Sequence, residues 1–460
     1  MSLENSLFGI DAVREMTARS GKIFFLGIGG VSMSSLAEFM LLRGKAVSGS
    51  DRVAGENTVR LEALGAQIFY RHSGENVAGS DMLVYTLAAS PDNPEIEYAV
   101  KNGIPCVSRA EFMGALISLY KRKIGVSGTH GKSTVTAMLY DIFSDAGREP
   151  GVLCGAPLSR GNIQHDAGSG GIMIYEACEY KDSFLHFRPD IQLFLNLEMD
   201  HPDYFCDIDM LGGSFGKCAS LAGDGIIYNA DSETLVKYVG GAGKSRLSFS
   251  LQGNGDFNAE SISHEGGRYS FRVVYRGSPE ADISLGILGK HNIYNALAAY
   301  SAAVIEGISP ASAAESLSGF SSPARRLEFL GMRGKSKVYS DYAHHPSEIA
   351  AGISAVRDES GGGTAVIYQP HTFSRTSALF DGFVSALSLA DRVIIADIYA
   401  ARENNESGVT SESLCSAIGE KAVYLPSFSR IGEVLTGEEK AIIVMGAGDI
   451  EGIIPYLGMT

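Results

Sequence analysis

The stretch Lys123-Ile-Gly-Val-Ser-Gly-Thr-His-Gly-Lys-Ser-Thr134, continued by VTAMLYDIF to Phe143, decides how this chain is read. An apolar run ends in a glycine turn, and residues of helical period follow. That pattern opens a βα unit, and repeated units of this kind build parallel sheets. The turn also carries chemistry. The backbone N–H groups of Gly128, Thr129 and Gly131 can cradle phosphates, Lys132 can neutralise β and γ oxygens, and the Ser133 hydroxyl, with Thr134 after it, can ligate Mg²⁺. The first glycine of the general eight-residue phosphate-loop pattern would fall on Val126, so the match is to the shorter GTxGK form. Glycine turns of this sort also occur without a ligand, so the motif has to be weighed with its surroundings.

Two similar openings flank it: KIFFLGIGG near residue 22 and KVYSDYAHHPSEI near residue 337. With 460 residues, more than one core is expected. The fold class is therefore α/β in three domains: a Rossmann-like N-terminal domain (1–113), a central P-loop ATPase domain (114–322) and a Rossmann-like C-terminal domain (323–460). Strands are expected at IFFLGIGG, AVSGSD, MLVYTLAAS and CVSRAEF in the first; at IMIYEACE, IQLFLNLEMDH and GIIYNAD in the second; and at KVYSDYA, TAVIYQPH, RVIIADIY, AVYLP and AIIVMGAG in the third. Ser245 to Gly277 alternates without helical signals and reads as a β-rich insertion.

The first turn holds Gly27, Gly29, Gly30 and Met33, with Ser50 and Asp51 ending the next strand. Such a turn lets backbone amides approach a pyrophosphate while a later acid accepts ribose or base hydrogen bonds. Ser32 stands at the third fingerprint position, and the turn alone suits an NAD-dependent oxidoreductase equally well. After the P-loop, Glu176 and Asp200-His201 follow strands, where parallel sheets line their ligand crevice, so Glu176 and His201 could meet a metal held by Ser133. Asn292 and Asn295 share a helical face behind His291; they could read adenine, with N-capping as the plain alternative. Arg325 and Arg326 could supply a cis arginine finger, and adjacent strand residues point opposite ways, so one acts and one is structural. Asp341, Tyr342, His344 and His345, together with His371 and Arg375, form a polar set in the third region. Substrate contact suits it better than zinc, since adjacent histidines rarely converge on one ion and no third ligand is evident nearby.

The formal charge of 38 − 53 = −15 disfavours nucleic acid and anionic membrane as nonspecific partners. Six cysteines without a CxxC pair suit free thiols in a reducing compartment. The start MSLENSLFGIDAVREM lacks a secretory pattern and no apolar run is long enough to span a bilayer, so a cytoplasmic protein without membrane insertion is expected. Monomer and homodimer both remain open.

GIGGVSM, GSD, GTHGKST, EACE, NLEMDH, GKHNIYNALAA, DYAHHPSEI, QPHTFSRT and GAGDI, in this order and spacing, resemble the Mur ligase family over nearly the whole chain. The resemblance implies an ATP- and Mg²⁺-dependent carboxylate–amine ligase of peptidoglycan synthesis. DYAHHP and QPHxxSRT point to the branch that joins L-alanine to the lactyl carboxylate of UDP-N-acetylmuramate through an acyl phosphate, with a murein-peptide recycling ligase as the alternative. It further implies UDP-sugar contacts at Gly27, Gly29, Gly30, Met33, Ser50, Asp51, His72 and His130. Lys132, Ser133, Glu176 and His201 match phosphate and metal positions. Asn292, Asn295, one of Arg325 and Arg326, and Asp341 match the nucleotide site, and Tyr342, His344, His371 and Arg375 are assigned to the amino acid. Ser32, Ser133, Cys178 and Thr372 depart from the usual pattern, where glycine, threonine, aspartate and arginine are common. The segment Ser321 to Pro323 is expected to act as a hinge, open until ligands draw the third domain inward.

Overall fold

The computed structural model describes residues 8–242, 245–401 and 403–459; the start of the segment read for a leader, residues 1–7, lies outside them. Three sheets account for the chain. The first contains β1 (Lys22–Leu26), β2 (Ala46–Ser50), β3 (Gln67–Phe69), β4 (Met82–Tyr85) and β5 (Cys106–Ser108), all parallel, in the order β3-β2-β1-β4-β5. KIFFL forms its centre because a parallel strand covered by helices on both faces must be apolar throughout. QIF, too short to show a pattern, was not anticipated as a strand.

The central sheet has ten strands: β6 (Arg122–Ser127), β7 (Gly151–Leu153), β8 (His165–Asp166), β9 (Ile172–Glu176), β10 (Ile191–Phe194), β11 (Gly225–Asn229), β12 (Ser245–Ser250), β13 (Phe257–Glu265), β14 (Arg268–Tyr275) and β15 (Ser278–Leu288). Their order is β15-β14-β13-β12-β11-β10-β6-β9-β7-β8. The segment expected as an insertion therefore continues the sheet. β12 pairs parallel with β11, β13 joins β12 in parallel, and β13 to β15 form an antiparallel meander. Alternation identified strands there, but pairing partners are chosen by tertiary packing.

The third sheet contains β16 (Glu328–Arg333), β17 (Ser336–Asp341), β18 (Thr364–Tyr368), β19 (Arg392–Ala396), β20 (Ala422–Leu425) and β21 (Ala441–Met445), in the order β16-β17-β21-β18-β19-β20. Only β16 runs antiparallel. The expected boundary at residue 113 falls inside the helix Arg109–Ile117, which packs on the helix Ile10–Arg19. Phe25 and Phe112 share one apolar cluster with Phe184 and Phe215 of the central region, so the first two sheets are joined by a continuous core. Leu288, the last residue of β15, packs into the core of the third sheet.

Candidate active site

β6 lies between β10 and β9, so the loop after it opens where the strand order reverses, the usual ligand crevice of a parallel sheet. Gly128 and Gly131 have φ of 155° and 84°, and a Cβ on Gly131 would lie 2.6 Å from the Asn295 amide oxygen. Only glycine allows that backbone and that approach. Gly131 caps the helix Lys132–Asp145, whose N-terminus faces the crevice.

Lys132 is folded back onto its own loop. Its Nζ donates to the Gly128 carbonyl, to Thr129 O at 3.1 Å and to both carboxylate oxygens of buried Glu179, each at 3.1 Å. Burial alone would lower the lysine pKa, but Glu179 outweighs it and the ammonium is held charged. Glu179, the last residue of the EACE stretch, was given no role in the sequence, because the lysine it meets lies 47 positions away. Glu176, ending β9, accepts Gly155 N at 2.6 Å and the Cys154 thiol at 3.1 Å. Its charge is felt by Lys132, which places a carboxylate beside the Ser133 hydroxyl loop. Oxygen donors of this kind, few in number and next to a phosphate cradle, fit Mg²⁺, which keeps most of its waters. His201 has φ of 55° and its ring lies 4.6 Å from Tyr180. Burial lowers its pKa, leaving a neutral imidazole despite Asp200.

A cavity of about 350 Å³ continues from the loop between the central and third sheets, lined among others by His130, His291, Asn292, Asn295, Arg326 and Asp341. The helix His291–Ile305 is capped by Lys290 without a side-chain bond, which removes capping as the role of either asparagine. Asn292 Nδ2 instead donates to Leu288 O at 2.7 Å and Asn295 Nδ2 donates to Asn292 Oδ1 at 2.8 Å, fixing both amides. Burial takes the His291 pKa down to about 4, so its ring is neutral and free to stack. Burial also pushes Asp341 up to about 7, against the pull of Arg326 and Arg325.

The arginine pair departs from expectation. Arg325 and Arg326 lie in a turn before β16, with φ of 58° at Arg325, so strand alternation does not divide them. Both guanidinium groups lie over the Tyr342 ring, at 4.8 and 5.1 Å. Arg326 Nη2 donates to Ser133 Oγ at 3.2 Å, whereas Arg325 Nη2 donates to Gly446 O at 2.6 Å and its Nε lies 3.3 Å from Glu451. Arg326 is the member that reaches the phosphate loop.

Arg375, expected to meet the amino acid, is buried and donates through Nε and Nη2 to Asp200 Oδ1 at 3.0 and 2.8 Å. His344 is held by Tyr342 O at 3.0 Å, and burial takes its pKa to about 4. His371, 6.2 Å from the His344 ring, lines a second cavity with His201, Tyr180 and Arg375. The third domain is docked on the central one through the Arg375–Asp200 and Arg326–Ser133 contacts.

The first glycine turn lines a separate cavity of about 880 Å³ with Met33, Asp51 and His72. Gly29 N donates to Asp51 Oδ2 at 2.8 Å. Behind it, Ser50 Oγ donates to buried Glu95 at 2.7 Å and His72 Nδ1 lies 2.9 Å from the same oxygen. Gln164, from the loop before β8, reaches this cavity from the central domain. His130, grouped with these residues by resemblance, stands instead in the interdomain cavity, 3.1 Å from Glu348.

Fold and cleft together define a three-domain α/β protein whose middle domain carries a phosphate loop covered by the third. Three family models match in sequence: "Mur ligase family, catalytic domain" over residues 22–121, "Mur ligase middle domain" over 126–303 and "Mur ligase, glutamate ligase domain" over 325–448. The chain belongs to the Mur ligase family. It is 40% identical over 445 residues to a UDP-N-acetylmuramate–L-alanine ligase of Caldicellulosiruptor saccharolyticus, covering 95% of this chain and 98% of that one. Its identity to the same ligase of Clostridium acetobutylicum is 41% over 440 residues, covering 94% and 96%. Among solved structures, a UDP-N-acetylmuramate–alanine ligase of Thermotoga maritima superposes with a TM-score of 0.81 at 26% identity, covering 95% and 98%. A murein peptide ligase of Psychrobacter arcticus reaches 0.74 at 26% identity over the same shares. Among the described residues no helix is long and apolar enough to cross a membrane.

Proposed function

We propose that this chain joins L-alanine to the lactyl carboxylate of UDP-N-acetylmuramate with hydrolysis of ATP to ADP and phosphate, a step of peptidoglycan precursor synthesis. The observation carrying this reading is a single cleft lined by Gly131 and Thr134 of the phosphate loop and by Arg326 and Asp341 of the third domain, with Arg326 donating to Ser133 Oγ at 3.2 Å. Alignment and charge neutralisation are the main sources of rate in phosphoryl transfer. Lys132 and Arg326 bring the positive charge, and the amides at the start of the helix Lys132–Asp145, capped by Gly131, bring the cradle. Ser133 and Glu176 would hold Mg²⁺, which neutralises phosphate charge when bound. Asn292, Asn295 and His291 suit the adenine, and the turn around Gly27 to Gly30 suits the uridine diphosphate. The docked third domain excludes water from the acyl phosphate until the amine arrives. A free α-amino group titrates near pH ~8, so alanine requires only modest help to lose its proton.

The test is ADP release with ATP and UDP-N-acetylmuramate, with and without L-alanine, and with an alanyl peptide in its place. Turnover that depends on L-alanine is expected. Turnover with the peptide alone would transfer the chain to the recycling branch, and none with either would remove the ligase reading.

A further inference from the structure

The third ligand missing from the sequence is present in the fold. His345 sits beside His130 and Glu198, two residues of the central domain, and the three can present one donor atom each within 4.8 Å of one another. Glu198 Oε2 is 3.4 Å from His130 Nε2 and 3.7 Å from His345 Nδ1. A tetrahedral zinc, with Zn–N and Zn–O bonds near ~2.1 Å, spaces its donors about 3.4 Å apart. Ser347 Oγ stands over all three, 2.9 Å from His130 Nε2, 2.7 Å from Glu198 Oε2 and 2.8 Å from His345 Nδ1.

The other nitrogen of each imidazole is already engaged. His345 Nε2 lies 3.2 Å from the Met199 carbonyl, which only accepts, so that nitrogen carries the hydrogen and Nδ1 presents its lone pair. His130 Nδ1 lies 3.1 Å from Glu348 Oε1, leaving Nε2 as the nitrogen facing the cluster. Carbonyl and carboxylate partners behind the rings are the arrangement that orients metal-binding histidines. The Ser347 hydroxyl has one hydrogen for three neighbours, and it is directed to Glu198. Besides that hydroxyl hydrogen, the Ser347 backbone N–H points to His345 Nδ1 at the long distance of 3.4 Å, so three metal-ligating donor atoms face one centre that a cation would balance. A proton on His130 answers that need in the metal-free protein; burial opposes it, but Glu348 and Glu198 raise the pKa to about 9.

We propose that His130, Glu198 and His345, with Ser347 or a water as fourth donor, form a binding site for a divalent transition metal of the zinc class that bridges the central and third domains. Two imidazoles and one carboxylate select such a metal over Mg²⁺, whose oxygen-rich candidate site at Ser133 and Glu176 has different residues. Glu198 is 43% exposed and provides the way in. Because His345 and Ser347 begin the helix Pro346–Ser360 and His130 belongs to the phosphate loop, the bound ion clamps the cleft.

The experiment titrates the full-length, chelator-treated protein with Co²⁺ alone, then displaces it with Zn²⁺. Expected is one equivalent with tetrahedral visible bands and no sulfur charge-transfer band, displaced by one equivalent of Zn²⁺. His345→Ala and Glu198→Gln should each weaken it by tenfold or more, while Cys206→Ser, at an exposed thiol, leaves it unchanged. Each variant is first shown folded by its circular dichroism, and Glu198→Gln alone suffices if His345→Ala fails. The same tetrahedral bands at equal affinity in Glu198→Gln, sulfur bands in the wild type, or no tetrahedral cobalt at all would overturn the site.

Discussion

Two glycine turns in this molecule begin alike and end differently. Each follows a strand with a parallel neighbour on either side and each opens a helix at the reversal of strand order. In the first, Asp51 binds the Gly29 amide, so the turn's own acid occupies the donor that a pyrophosphate would use. In the second, Asn196 takes the Thr129 and His130 amides, at 3.3 and 2.8 Å, and the loop's own lysine side chain is engaged by Glu179. The first turn offers dipoles with an acid at hand, suited to a ligand with hydroxyl groups. The second offers a full positive charge held in store, suited to phosphates that gain charge in a transition state. The same backbone device thus serves binding in one place and chemistry in the other.

The sharpest way to break the comparison is Lys132→Ala. Turnover should fall about 10² to 10³-fold, the usual cost of one preorganised charge contact, while UDP-sugar binding at the first turn persists. Near-normal ADP release would sink the phosphate-loop assignment. The same change strands the Glu179 carboxylate, whose side chain is 1% exposed, at a cost of roughly 3–5 kcal/mol in unfolding free energy. Lys132→Ala/Glu179→Gln should recover much of that stability in denaturant titrations without recovering activity.

Gly29→Val probes the first turn. A Cβ there would lie 2.8 Å from Asp51 Oδ2 and 3.0 Å from the Thr58 methyl, so the acid must leave its amide. UDP-sugar affinity should drop by about tenfold or more, near 1.4 kcal/mol, with ATP affinity kept. Wild-type protein should bind UDP but not NAD; saturable NAD binding without UDP-sugar binding would refute the ligase reading.

The smallest effect separates the turns by pH. His130, the third residue of the GTHGK turn, holds its proton to about pH 9 in the fold against ~6.5 unfolded. Its contribution is therefore complete below about pH 6.5 and is lost as pH climbs through 9. Since Glu198 is partly exposed, solvent screening reduces this to about 1 kcal/mol. Chelator-treated wild type should lose that much stability between the two pH values, and His130→Gln should not; parallel curves would show that the proton is not held.

The two turns were also the most legible parts of the sequence, because glycine at a positive φ between an apolar run and a helix leaves a local signature. Asn292, Asn295 and Asp341 were legible for a similar reason, each standing beside a strand end or helix start that a motif marks. Glu179, Glu198 and Glu348 were not, since an acid gains meaning only from the cation folded against it. The arginine pair was misjudged from alternation because Arg325 takes a left-handed turn that no neighbouring residue requires. The strands β12 to β14 fall in the segment read as β-rich, but β15 lies beyond it, and that they extend the central sheet is a matter of long-range pairing.

Leu288 bears on modularity. The chain divides cleanly into three sheets, yet this residue of the central meander fills the apolar interior of the third domain. A fragment cut at residue 323 would carry every strand of its sheet and still have a vacancy in its core, while the remaining piece would display the leucine to water. Units of inheritance and units of folding are therefore not the same here. Exchange of the C-terminal domain between relatives would have to carry the end of β15 with it, or find a partner with an equal side chain to offer.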